Sequence, residues 1–340
     1  MQIFLTFLLI IFFLGASQAT ACAAHRVIID TDMGGDDAAA IVLAAKSPAI
    51  QIEGVTVVSG NVDLEQAAKN ALMTLEVVGS TAQVYKGSSK SFAGIENETF
   101  SVYGNDGMGD ADLIHPKRSA NNKSAVDFIL ETVKANPDEI EIVLIGPATN
   151  VALAIDKDPV TMSRVKKYWS MGTSGFGEGN ATPVAEFNVY KDAEAYKILL
   201  DSGVPTTIIS WDIAKDEKVC FNKKFLDRMK NASPVQKFIA VANEKYLKFC
   251  RDIQKTEYEP VSDAVLIAAM AWDDFVQETA VCHASCMIDR NETYGQVIFY
   301  RKDYAYDAMP TFDSYNVEVV TKVKSAQFLS RYDKILSSKL

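Results

Sequence analysis

Apolar and polar positions along the chain follow two rhythms that take turns. Short, nearly continuous apolar runs at Arg26–Ile29, Gln51–Val58, Ile140–Ile145, Tyr168–Met171 and Thr206–Ser210 have the length of buried strands. Between them, Asp36–Lys46, Val62–Val78, Ser124–Ala135 and Asp192–Leu200 read as helices. Such alternation predicts an α/β fold with an open, mostly parallel sheet flanked by helices, a Rossmann-like core. Asn222–Cys250 reads as mostly helical, a cap over the sheet. From Ala280 onward, β-branched and aromatic segments predict a final strand region closed by a helix near Ser325–Ser338. No composition break marks a linker, so residues 20–340 are expected to form one domain.

The N-terminus breaks this pattern. Phe4–Leu14 is a largely apolar run too short to span a bilayer, and small residues follow at Ser17 and Ala19. Residues 1–19 are therefore expected to be a cleaved signal peptide, leaving a secreted, extracellular protein with no membrane attachment. Composition agrees: 48% of residues are hydrophobic, enough for a sizeable core. With 34 Lys and Arg against 44 Asp and Glu, the net charge of −10 argues against nucleic acid or an anionic membrane as partner. Of the five cysteines, Cys220, Cys250, Cys282 and Cys286 could form two disulfides or remain buried thiols, and Cys22 precedes them. The sequons Asn97-Glu98-Thr99, Asn122-Lys123-Ser124 and Asn291-Glu292-Thr293 fit a secreted glycoprotein.

The candidate chemistry lies where the first strand gives way to the first helix. Asp30, Asp32, Asp36 and Asp37 crowd into Asp30–Asp37, with Gly34 and Gly35 expected to turn the chain sharply between them. Ligands of open α/β sheets bind beyond the carboxyl ends of the strands. Like charges this close need compensation, part of it from a helix N-terminus and more from a cation. An all-oxygen cluster without His or Cys suits calcium or magnesium rather than zinc or copper.

Val27-Ile28-Ile29-Asp30-Thr31-Asp32-Met33-Gly34-Gly35-Asp36-Asp37-Ala38 resembles the N-terminal fingerprint of the inosine–uridine-preferring nucleoside hydrolases. Val57-Val58-Ser59-Gly60-Asn61, Gly146-Pro147-Ala148-Thr149-Asn150, Gly179–Asn188 and Asp263-Ala264 follow in family order, so the resemblance spans essentially the whole mature chain. It implies the nucleoside hydrolase fold and cleavage of ribonucleosides to ribose and free base. It further implies calcium held by Asp32, Asp37, Asp263 and the main-chain oxygen at Ile145, with Asp32 also taking the proton of the attacking water. Asp36, Asn61, Glu186 and Asn188 match positions that hold the ribose hydroxyls, Asn180 lies on the 5′ side, and Phe187 is placed near the ribose. Glu186 and Asn188 would share one face of an extended segment. A glycan at the sequon Asn180-Ala181-Thr182 would block that pocket, so this sequon is read as coincidental. A homodimer or homotetramer is the usual assembly of such proteins.

The pattern departs from the family at the leaving group. Where its best-known members carry His before the last calcium-binding Asp, this chain has Ser262, and where a second His is common it has Tyr103. The three histidines, His25, His115 and His283, lie outside every motif. Tyr103 is thus the candidate to donate a proton or stack on the base, with Tyr246, Phe249 or Tyr258 closing over the site. Trp169, Trp211 and Trp272 read as core. Purine ribosides are the expected substrates, although the choice of base stays open. Two alternatives also stay open: a binding protein that has lost catalysis, and a phosphohydrolase of the haloacid dehalogenase type. Base release from nucleosides separates the hydrolase from a binding protein, and activity on a nucleoside against a phosphate monoester separates it from the phosphohydrolase.

Overall fold

A computed structural model describes residues 25–96, 98–305, 307–308 and 311–338. The signal segment, Cys22 and Asn97 lie outside the described residues. The strands are β1 (His25–Thr31), β2 (Ile50–Val57), β3 (Val84–Lys86), β4 (Ile140–Leu144), β5 (Lys167–Met171), β6 (Thr206–Ile209), β7 (Phe221–Asn222), β8 (Tyr258–Glu259), β9 (Val276–Cys286), β10 (Val297–Arg301) and β11 (Val317–Val323). Nine of them form one sheet in the order β10-β9-β11-β6-β5-β4-β1-β2-β3, and β7 pairs with β8 in a separate antiparallel ribbon. From β11 to β3 every pairing is parallel, and β9 runs against both of its neighbours. The open, mostly parallel sheet expected from the sequence is therefore present.

The parallel strands are apolar throughout because helices cover both faces. In β1, Val27 and Ile29 enter one core while Ile28 enters the other. That is the alternation a pleated strand imposes. The helix Gly35–Lys46 is buried along almost its entire length, which explains its Ala-rich sequence. The predicted cap resolves into helices Lys223–Lys230 and Pro234–Phe249, followed by a π-helical turn at Cys250–Gln254. Ser233 accepts from the Gln236 main-chain N–H and Gln236 reaches back to Ser233, so the second helix starts in a capping box. The closing helix is Phe328–Ser337, preceded by a 3-10 turn at Ser325–Gln327. No helix among the described residues is long and apolar enough to cross a membrane.

The cysteines resolve in favour of thiols. Cys220, Cys250, Cys282 and Cys286 are all buried and free. Cys282 and Cys286 lie on the same face of β9, four residues apart. That is about 13 Å along a strand, beyond the reach of a disulfide.

At the end of the sheet where β1, β4 and β5 begin, Glu141 is 1% exposed and ties three elements together. Its carboxylate lies 3.0 Å from His25 Nδ1 and accepts from Lys166 Nζ at 2.7 Å and Trp169 Nε1 at 2.7 Å. Burial pushes this carboxyl up, but the hydrogen bonds from His25, Lys166 and Trp169 outweigh it and hold the group at about 2, below its ordinary 4.5. A depressed carboxylate contributes stability that is complete above its unfolded value and is lost as pH falls through its folded value. The shift corresponds to on the order of 3 kcal/mol. In urea denaturation, Glu141→Gln should lose stability of that order at neutral pH. The gap from wild type should close as pH falls from about 4.5 towards 2. A constant gap over that window would refute the assignment.

Candidate active site

Strand order reverses between β4 and β1, and the candidate residues gather beyond the carboxyl ends of these strands. Asp30 is the penultimate residue of β1 and is fully buried. Its Oδ1 accepts from Thr56 Oγ1 at 2.5 Å and Asn150 Nδ2 at 2.8 Å, so it braces β2 and the Thr149–Lys157 helix against β1. Burial raises its carboxyl to about 7, against those two hydrogen bonds.

The turn that follows is made differently from the sequence expectation. Met33, not a glycine, takes the left-handed conformation, with φ 52°. Gly34 has extended backbone and is needed for close approach. A Cβ there would stand 2.9 Å from both the Tyr103 ring and Asn61 Nδ2. Gly60 is tighter still, since its Cβ would fall 2.0 Å from Asp32 Oδ2. These two positions let the loops after β1 and β2 meet over the carboxylates.

Asp32 is fully buried. It accepts from the Asn61 main-chain N–H at 2.7 Å and from Asn61 Nδ2 at 3.2 Å. Asn61 Nδ2 also lies 3.3 Å from Asp37 Oδ2, so one carboxamide spans two carboxylates. Asp37 is fixed by Thr31 Oγ1 at 2.5 Å and by the Gly34 N–H at 2.7 Å. Asp36, on the same helical turn, accepts a hydrogen bond from the Tyr103 hydroxyl. Asp263 enters from the N-terminal turn of helix Ser262–Ala271. Asp36, Asp37 and Asp263 each offer an oxygen within 4.8 Å of the others.

This crowding is costly. Burial is the largest cause of a raised pKa at each carboxyl, pushing Asp32 to about 8 and Asp36 to about 6, and Asp37 and Asp263 well up. The neighbouring carboxylates add to the rise at Asp32, Asp37 and Asp263. Among the described residues, no lysine or arginine forms an ion pair with any of these four. An oxygen-only donor set, buried and uncompensated, fits a hard divalent cation. The close triad contains Asp36 where the sequence expectation had Asp32, which lies alongside and adds its charge to Asp37 and Asp263. Ile145, immediately after β4, lines the adjoining cavity.

That cavity holds about 320 Å³. On one side stand Asp36, Asn61, Glu186, Asn188 and Asp263, with Asn180 and Phe187 beside them. Glu186 and Asn188 share this wall for a reason other than the extended segment expected from their spacing. Glu186 caps the short helix Phe187–Lys191, receiving the Val189 N–H, and Asn188 lies within that helix and donates to the Met171 carbonyl at 3.2 Å. Burial lifts Glu186 to about 7. Asn180 Oδ1 accepts from the Phe187 N–H at 2.8 Å, which ties the preceding loop to the helix.

Aromatic rings complete the lining. Tyr103 and Tyr246 pack with ring centroids 4.6 Å apart, and Phe249 stacks on Tyr246 at 6.2 Å. The sequence reading anticipated these three, but Tyr258 belongs to β8 and is not part of the cavity lining, and Tyr246 and Phe249 sit on a regular helix. The Tyr103 hydroxyl is raised well above its ordinary range, by burial first and then by Asp36. Trp169, Trp211 and Trp272 are core as expected, and Trp211, just past the end of β6, also lines the cavity. Its place at a strand's carboxyl end was the available signal. Phe100, Val102 and Gln254 also line the cavity from irregular segments that no periodicity marks. The histidines lie elsewhere: His25 on Glu141, His115 beside Asp112, and His283 stacked on Phe312.

Comparison with known proteins follows this geometry. The family model described as inosine-uridine preferring nucleoside hydrolase matches residues 27–330. Uridine nucleosidase 1 of Arabidopsis thaliana is 39% identical over 208 residues, covering 60% of this chain and 62% of the relative. The match thus spans less than two thirds of that relative's length. A solved plant nucleoside hydrolase superposes with a TM-score of 0.86 at 28% identity, covering 93% of this chain and 99% of that one. A purine-preferring ribonucleoside hydrolase from Gardnerella vaginalis gives 0.82 at 28% identity, covering 92% and 98%. With the fingerprint carboxylates gathered at one cavity and the match running from β1 to the last helix, the chain belongs to the inosine-uridine preferring nucleoside hydrolase family.

Proposed function

We propose that the protein hydrolyses the N-glycosidic bond of ribonucleosides, releasing ribose and free base, and that calcium is its resident cation. The observation that carries this reading is a cavity lined both by carboxylates and carboxamides and by a cluster of packed aromatic rings. Cleavage of a glycosidic bond passes through an oxocarbenium-like sugar. Pre-placed carboxylates stabilise that developing positive charge without reorganising. Asp36, Asn61, Glu186 and Asn188 hold the ribose hydroxyls, Asn180 and Phe187 flank the sugar, and Asp32 takes the proton of the attacking water. Asp32, Asp37, Asp263 and the main chain at Ile145 hold calcium, with Asp36 close enough to share it. When bound, a divalent cation acidifies a water and orients it for attack.

Tyr103 differs from an ordinary acid in this scheme. Its proton is committed to Asp36 and its hydroxyl is held well above the usual range, so it orients Asp36 and offers its ring to the base. Stacking is tolerant of base identity because every base has a π-face. The aromatic cluster therefore accepts both base classes, and the larger purine ring gains more from it. An N-terminal signal segment would deliver the chain outside the cell, where calcium sites of modest affinity serve.

Inosine, guanosine, adenosine and uridine, each incubated with pure protein and calcium, test this reading by release of ribose and base. Turnover of both purine and pyrimidine ribosides is expected, with the higher kcat/KM for purines. Binding without release from any of the four would leave a nucleoside-binding protein instead.

A further inference from the structure

The segment that carries Phe100 borders the cavity mouth. Upstream, the Phe92 N–H donates to Asp192 Oδ2 at 2.6 Å, and downstream the Tyr103 hydroxyl reaches Asp36. Beside the first anchor, Ser91 and Ile95 close a turn and Lys90 pairs with Glu96, and residues 98–100 lead without regular structure into the 3-10 turn Ser101–Tyr103. It carries Phe100, which is 48% exposed and yet lines the cavity, and so stands at the rim.

Lys191, the last residue of the helix Phe187–Lys191, reaches across to this stretch. Its Nζ donates to the Glu98 main-chain oxygen. The same ammonium lies 4.5 Å from the centroid of Phe100 and 5.3 Å from that of Phe187. The two rings meet edge to face at 5.7 Å. One cation therefore joins a main-chain carbonyl and two aromatic rings from segments far apart in the sequence. Its surroundings are partly dry, for burial lowers the pKa of this lysine while Asp32 and Glu98 work against that fall. Cation–π contacts strengthen on desolvation, which favours this role over that of a solvated surface lysine.

From this we infer that Lys191 is a positioning residue that latches the Glu98–Phe100 stretch across the cavity mouth and so fixes the Phe100–Phe187 edge against which the nucleoside docks. The inference rests on the nucleoside-hydrolase reading for its ligand, though the latch itself is a property of the fold. Lys191 touches no reacting atom. Its loss weakens binding, not the chemical step, and a mutation that removes binding common to ground and transition states raises KM at constant kcat.

The test compares Lys191→Met, which keeps the apolar stem without the charge, with Lys191→Arg, which restores a cation over the rings. In Lys191→Met, KM for inosine and uridine should rise roughly tenfold with kcat within about twofold of wild type. Hydrogen exchange over residues 98–103 should quicken, while the calcium-induced rise in Tm should not change. Lys191→Arg should recover most of both the KM and the protection. Unchanged KM and exchange in Lys191→Met, or an Arg variant as impaired as the Met variant, would overturn the latch. If wild type releases no base from any nucleoside, the functional reading fails, and exchange over 98–103 still decides the latch.

Discussion

Chelation of divalent cations is expected to abolish base release and to lower Tm, and calcium is expected to restore both. The ground for this is the set of carboxyls that burial and mutual repulsion drive towards the protonated form, with Asp32 at about 8, Asp36 at about 6, and Asp37 and Asp263 well above the ordinary range. The folded protein without a cation holds protons that the unfolded chain releases. A carboxyl whose folded pKa is raised therefore costs stability as pH climbs from the ordinary carboxylate range to the folded value. For Asp32 that window runs from about 3.8 to about 8. A cation that binds the folded state reverses the cost and displaces those protons. At a free concentration near 100 times Kd it adds about 2.7 kcal/mol, or roughly 5 °C in Tm for a chain of this size. The calcium-induced rise in Tm should accordingly grow between pH 5 and about pH 8. Full activity after exhaustive chelation, or a Tm indifferent to calcium at pH 8, would refute the metal assignment.

Asp32→Asn should cost roughly 10³ or more in kcat if Asp32 takes the proton of the attacking water, the scale of a lost general base. The substitution is nearly isosteric, and an amide oxygen can still accept from the Asn61 N–H that now donates to Oδ2 at 2.7 Å. The fold should therefore survive, and near pH 8 its Tm in chelator should lie above that of wild type, because the neutral amide escapes the cost of a buried carboxylate. Measuring the calcium-induced rise in Tm of the variant separates two contributions. A retained rise with lost turnover assigns proton transfer to Asp32, and a lost rise assigns metal binding as well. An unchanged rate would remove Asp32 from the mechanism. The experiment has added weight because Asp32 lies outside the closest carboxylate triad, which Asp36 completes.

The helix Thr149–Lys157 was not legible in the sequence, whereas the strands β1, β2, β4, β5 and β6 and the helices Gly35–Lys46, Leu64–Val77, Ala125–Ala135 and Ala193–Asp201 were legible to within a residue or two at most boundaries. Each is a run whose apolar period is dictated by burial on one or both faces, and burial of that kind is local information. The cluster Asp30–Asp37 was legible for the same reason: four carboxylates in one turn are a conspicuous electrostatic problem whatever surrounds them.

What surrounds them was decided elsewhere. Gly34 looked like a turn residue, and its real constraint is the approach of Tyr103 and Asn61 from other loops, as Asp32 constrains Gly60. Glu186 and Asn188 share a wall as cap and first turn of a helix too short for its period to show in sequence. The cysteines could not be sorted into thiols or disulfides until β9 placed Cys282 and Cys286 far apart on one face. Trp211 and Phe100 line the cavity and Lys191 packs on Phe100 at its rim, from three separate segments that come together only when the sheet order is set. The sequence by itself determined the layered α/β architecture and the carboxylate centre, because both follow from contacts within one segment. The tertiary structure alone decided how the aromatic rings pack against one another, the membership of the close triad and the mouth of the cavity. Those depend on contacts between residues far apart along the chain, which local periodicity does not encode.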